Sequence, residues 1–169
     1  TGVSVVGVGP EISLYAVKIL DREGTGYTSD AVAALDGAAR YGMQVVNMSF
    51  GSSFSSTTMK SACGRAYAAG VLLVAAAGNE AAPWLDAPAR YPSVISVGAT
   101  NSLDQHAAFS NTSKNLELSA PGVAVLSTMP TYTARLNQWP YGYRLYYDYL
   151  DGTSMAAPHV SGTAALVIA

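Results

Sequence analysis

The chain has 169 residues, half of them hydrophobic and only 12% charged, with a net charge of -2. That length suits one domain with a real core, and the composition excludes disorder, which needs low hydrophobicity and high charge. The charge balance and the lack of any Lys/Arg run offer no electrostatic footprint, so neither nucleic acid nor a membrane surface is expected as a partner.

In chain order, a glycine-rich start, "TGVSVVGVGP", feeds an apolar run at 13–20 that reads as a strand, followed by a glycine-bearing turn at 23–26. Residues 28–42 read as a helix with Thr28, Ser29 or Asp30 as N-cap and Gly42 as its stop. A strand at 45–50, a helix at 55–70 ending at Gly70, and strands at 71–78 and 93–100 follow. Cys63, the single cysteine, falls in the second helix and reads as a small buried hydrophobe. The strands are near-continuous apolar runs, as expected for strands covered on both faces. Their alternation with helices points to a mostly parallel sheet in an α/β fold with helices on both faces. Ligands in such sheets bind beyond the carboxyl ends of strands, which directs attention to "SFG" (49–51) and "GNE" (78–80).

Residues 131–150 hold six of the eleven tyrosines and one of the two tryptophans. They read either as a hairpin whose aromatics cover a core edge or as an aromatic wall for a ligand, since Tyr and Trp give contact area at low entropic cost. The final helix, from Thr153 onward, carries no C-terminal stop signal. With the unpaired glycine-rich start, this leads to the expectation of a fold incomplete at both ends.

"DGTSMAAPHV" (151–160) presents Ser154 at the mouth of that helix, as a nucleophilic serine often is. A serine hydroxyl needs a base, and the chain has only His106 and His159. His159 lies five positions on, about 140° around the helix, and is expected to pack behind it. His106 sits in a polar connection and reads as a surface residue.

"GTSMAAPHVSG", with "LYAVKIL", "VVNMSFG", "VAAAGNE", "ARYPSVISVGAT" and "LSAPGV" in order, resembles the subtilisin-like serine proteases, the subtilases. The resemblance spans the chain apart from the aromatic insert and implies a partial peptidase domain over 1–169. It implies a secreted serine endopeptidase acting on protein or peptide substrates, with no cofactor for the chemistry. The Asp and His motifs of the family's triad are not in this sequence, so a missing N-terminal part of the same domain is implied as partner, and the chain alone should be inactive. Ser154 matches the nucleophile and Asn79 the asparagine that binds the oxyanion. Ser49, Phe50, Gly51 and Ala76, Ala77, Gly78 match the two walls of the pocket for the side chain before the scissile bond. Their small size leaves room for a large apolar group, and Glu80 matches a rim position able to accept lysine. Gly24 and Gly26 match an edge onto which substrate lies as an added strand. The resemblance also implies structural Ca²⁺ on backbone carbonyls matching Val3 and Val5, and on those of Ala89, Tyr91 and Val94. Pro88 matches a proline often found cis. A non-catalytic peptide-binding module that keeps the cleft is the alternative reading.

Overall fold

The structure, a computed structural model, describes residues 5–169. The expected carbonyl of Val3 therefore lies outside the described residues. Four strands, β1 (Val45–Met48), β2 (Leu72–Ala76), β3 (Ile95–Thr100) and β4 (Leu118–Pro121), form a sheet in the order β1-β2-β3-β4. Every pairing in it is parallel, as the buried apolar runs predict; Val45 pairs with Leu72, Val74 with Ile95, and Val97 with Leu118.

The two-residue period of β2 splits the core. Leu73 and Ala75 enter a cluster with Met48, and with Leu35 and Met59 from helices α1 (Thr28–Arg40) and α2 (Thr57–Ala68). Val74 and Ala76 enter a second cluster with Val97, Ala99 and Ala156, the last from helix α3 (Thr153–Ile168). One strand thus feeds both faces, which is why it reads as a continuous apolar run. Cys63 is fully buried in the first cluster, and that burial pushes its thiol pKa up to about 11.

Helix α2 begins as a helix should: Ser56 caps it by accepting the Met59 N–H at 3.2 Å. Helix α1 departs from expectation. Its N-cap is Tyr27, whose extended backbone (φ -90, ψ 144) starts the helix without a side-chain acceptor. The Asp30 and Ala31 N–H groups go to the Tyr27 carbonyl, so Thr28, Ser29 and Asp30 sit inside the first turn. Asp30 is still favourable there, beside the positive end of the helix dipole.

The run 13–20 is not a strand. Leu14, Tyr15 and Val17 are exposed, and β1, the sheet's terminal strand, does not pair with them. A strand needs a ladder partner for its N–H and C=O groups, and among the described residues none borders this run.

A hairpin does form at the aromatic insert, but with other strands than 131–150 alone would supply. Strand β5 (Val125–Thr128) pairs antiparallel with β6 (Tyr147–Leu150), and 129–146 connects them through a short 3₁₀ turn at Arg135–Asn137. Asp151 pins the base by accepting the Ala124 N–H at 2.6 Å. Trp139 is 87% exposed and Tyr132 72%, so these aromatics do not cover the core. Arg135 pairs with Glu23 at 3.2 Å, which places the 3₁₀ turn beside the 21–25 turn.

Candidate active site

The parallel pairing of β1 and β2 brings their carboxyl ends side by side, so Ser49–Gly51 and Ala77–Glu80 leave the sheet as neighbours. Helix α3 packs against all four strands and aims its N-terminus at those ends. Its approach is fixed by close contacts. Gly152 donates to the Gly122 carbonyl at 2.8 Å, and a Cβ on Gly122 would come within 2.6 Å of the Ala99 Cβ, so only glycine lets the chain pass there.

Pro158 shapes the first turns of α3. It has no N–H for the Ser154 carbonyl four residues back, and that carbonyl instead accepts the Ser49 hydroxyl at 2.8 Å. The Ser154 hydroxyl returns the contact, donating to the Ser49 carbonyl at 3.0 Å. Two serines 105 positions apart in sequence are thereby locked together.

Asn79 is oriented by Thr153. Its Oδ1 accepts both the Thr153 N–H at 2.8 Å and the Thr153 hydroxyl at 2.9 Å, and the same hydroxyl accepts the Gly78 N–H at 3.2 Å. Because an N–H must meet an oxygen, the amide cannot be turned over, and its Nδ2 faces away from Thr153. A Cβ on Gly152 would lie 3.7 Å from Asn79 Nδ2 and 3.6 Å from the Ser154 nitrogen. Two donors therefore flank one space beside the Ser154 hydroxyl, and glycine at 152 keeps it open. Among the described residues, neither Nδ2 nor the Ser154 N–H has an acceptor. Such an arrangement suits a carbonyl oxygen gaining negative charge.

Neither histidine reaches the serine. His159 Nδ1 lies 2.8 Å from the Met155 carbonyl in its own helix, and His106 Nε2 lies 3.1 Å from the Ser110 carbonyl. Both stand away from Ser154, as helical spacing and the polar setting predict.

Asn111 carries no sequence signal, because "SNTSK" reads as an ordinary turn. It is fully buried; its Oδ1 accepts the Glu80 and Ala82 N–H groups, and its Nδ2 donates to Glu80 Oε2 at 2.8 Å. Glu80 Oε2 also accepts the Asn79 N–H at 2.9 Å. Asn111 thus holds the 78–82 loop. Asp86 is equally silent in the sequence. It is buried and joins the two walls: its N–H goes to the Ala77 carbonyl, while the next residue, Ala87, exchanges hydrogen bonds with Ser52. The Ala87–Pro88 peptide is cis. Gly24, Gly26, Phe50 and Gly51 line one groove of about 380 Å³ with Ile19, Met59 and Tyr91, whereas Ser49 and the 76–80 wall lie outside it.

The expected calcium carbonyls of Ala89, Tyr91 and Val94 share one buried turn, but the Tyr91 carbonyl already accepts the Val94 N–H at 3.0 Å. Among the described residues no cluster of three acidic, His or Cys side chains gathers, so any oxygen ligation here would rest on backbone carbonyls, as expected for these residues and Val5.

Comparison with known proteins agrees with this geometry. The model described as "Subtilase family" matches residues 1–169. Subtilisin DY of Bacillus licheniformis is 44% identical over 168 residues, covering 97% of this chain and 57% of that protein. Subtilisin E of Bacillus subtilis (strain 168) is 41% identical over 170 residues, covering 98% of this chain and 41% of that protein. The chain thus spans about half the length of the curated relatives it matches. The solved structure of the prenylagaramide maturation protease PagA superposes with a TM-score of 0.71 at 29% identity, covering 85% of this chain and 50% of that one. With a family model matching it from end to end, and a parallel sheet and helices arranged as in a solved maturation protease, the chain belongs to the subtilase family.

Proposed function

We propose that the protein carrying this chain is a serine endopeptidase, with Ser154 as nucleophile and with the histidine and aspartate of its triad supplied from outside these residues. The observation that carries the reading is the pair of donors around Gly152: the Ser154 N–H, and the Asn79 amide that Thr153 holds in one orientation. The Ser154 oxygen attacks the substrate carbonyl carbon, its proton passes to the external base, and the carbonyl oxygen becomes an oxyanion between the two donors. Collapse expels the amine and leaves an acyl-serine that water then hydrolyses. Substrate backbone lies along the 24–26 edge, in the groove it shares with Phe50 and Gly51. The reaction needs no cofactor, and any Ca²⁺ is structural, completed by ligands beyond the described residues. Secretion is part of the same proposal, on the example of the subtilisins it resembles; among the described residues no helix is long and apolar enough to cross a membrane.

The test is covalent labelling of the full-length protein by a fluorophosphonate. Mapping of the adduct to Ser154, with loss of adduct and peptidase activity in Ser154→Ala, is the expected result. A full-length protein that binds peptide in the cleft but takes no label would instead be the non-catalytic module. The 169-residue chain alone is expected to show no turnover, because neither histidine reaches Ser154.

A further inference from the structure

Asp86 presents an unusual combination. It is 6% exposed, and its Oδ1 is fully buried with no hydrogen-bond partner among the described residues. Its backbone N–H is tied to the Ala77 carbonyl at 2.9 Å on one wall of the cleft. Its side chain lies against the other wall, where a Cβ on Gly51 would come 3.1 Å from its Cβ and 3.4 Å from its Oδ2. Residues 86–87 therefore cross from wall to wall as a floor, closed by the mutual Ser52–Ala87 hydrogen bonds of 2.9 Å.

A buried carboxylate without a partner is costly, and the surroundings do not relieve it. The nearby cation, Arg90, is committed to carbonyls: its Nε donates to Leu85 at 2.7 Å and its Nη2 to Ser53 at 3.2 Å. The other charged neighbour is the Glu80 carboxylate; burial first, and then repulsion from Glu80, raise the Asp86 pKa. The Glu80 carboxylate itself is held by the Asn79 N–H and the Asn111 amide. Asp86 thus lies between Gly51 and Ala77, the two stretches expected to flank the side chain before the scissile bond, with a second carboxylate, Glu80, on the loop that follows. An acidic floor with small walls fits a long side chain that carries its charge at the tip.

We propose that Asp86 sets the substrate preference of this cleft, receiving the ammonium or guanidinium of a lysine or arginine that precedes the scissile bond. This rests on the peptidase reading above and replaces the large apolar side chain that small wall residues alone suggest. A lysine or arginine stem passes between Gly51 and the 76–78 wall, and its cation meets the Asp86 carboxylate, which turns toward it from its buried position. Glu80 steers the charge inward and contributes less, being exposed to solvent.

The experiment uses full-length protein and peptide anilides that differ only in carrying Lys, Arg, Phe or Leu before the anilide. Fluorophosphonate labelling of Ser154 is measured in parallel. Wild type is expected to give the highest kcat/KM with Lys or Arg. In Asp86→Asn the Lys-to-Phe ratio of kcat/KM should fall by roughly 10–100-fold, the size expected when a buried polar contact to substrate is lost. The ratio is internal to each variant, so partial misfolding does not disturb it, and Asp86→Ser serves as a second variant. A labelled wild-type enzyme that prefers Phe or Leu overturns the proposal without touching the peptidase reading. So does a Lys-to-Phe ratio that survives both Asp86 variants and collapses only in Glu80→Gln. Absence of labelling and of turnover on every substrate overturns the peptidase reading, and this proposal with it.

Discussion

Asn79 gives its oxygen to Thr153 and keeps its amide hydrogens for the cleft. A donor so placed gains most when charge develops on the substrate oxygen, and little in the ground state, so its loss should appear in kcat and not in KM. If the full-length protein is the proposed peptidase, Asn79→Ala is expected to lower kcat by roughly 100–1000-fold at nearly constant KM, a size borrowed from the oxyanion-binding asparagine of subtilisin, to which this chain is similar. Steady-state kinetics on one peptide decide it, and a raised KM at constant kcat would make Asn79 a ground-state binder. Asp86 offers a second test. Burial, then Glu80, raises its pKa in the folded state, with Arg90 opposing. The folded protein therefore keeps a proton that the unfolded chain has released, and this group's contribution to stability falls as pH rises from about 4 through the raised value. Asp86→Asn should flatten that part of the curve, read as urea midpoints across the range; an unchanged slope would mean that the burial is relieved in solution. Nothing local in "WLDAP" hints at this carboxylate, because its environment is made by Gly51 and Ala77, which are distant or separate in the chain.

Among the elements, caps and close contacts separate what is legible in the sequence from what is not. Ser56 before "TTMKSACG" is a local signal, and the structure uses it. Ser56→Ala should cost about 1 kcal/mol, the usual worth of such a cap, with no change in labelling of Ser154. Chemical denaturation reads the first and the fluorophosphonate assay the second; a neutral substitution would show that α2 is held by its packing alone. Helix α1 lacks this device at Tyr27 although three good capping residues follow at once. The start of α1 is fixed by where the chain leaves the 21–26 turn, which no local preference encodes. The hairpin is similar: the aromatic run 131–150 suggests a hairpin within itself, yet the partner of β6 is Val125–Thr128, held by the Asp151–Ala124 contact.

At the scale of the whole molecule, two of the apolar surfaces that the described residues leave exposed bear on association. Leu14 and Val17 are 87% and 65% exposed on the run 13–20. Elsewhere, Leu72, Ile95, Leu118, Val160 and Val167 line an open apolar trench of about 260 Å³ between sheet and α3. Contiguous apolar surface of this kind drives association. The isolated 169-residue chain is therefore expected to self-associate, seen as concentration-dependent growth in light scattering. A stable monodisperse monomer would show that these faces are covered by the chain itself in solution.

Hydrophobic period and contiguous motifs are enough to set the layered α/β plan, the parallel strands that follow residue 44 and the order of the helices. The resemblance that those motifs carry singles out Ser154 and Asn79 as the proposed nucleophile and oxyanion donor, and helical spacing alone turns His159 aside. Other features depend on neighbours in space. The run 13–20 has a strand's composition but no ladder partner among the described residues, and hydrogen-bond pairing cannot be read from one segment. The serine-to-serine lock, the Asn111 clamp on the 78–82 loop and the Gly51–Asp86 contact join residues 29 to 105 positions apart. Their chemistry arises from burial and distance, which exist only once β1, β2 and α3 have come together.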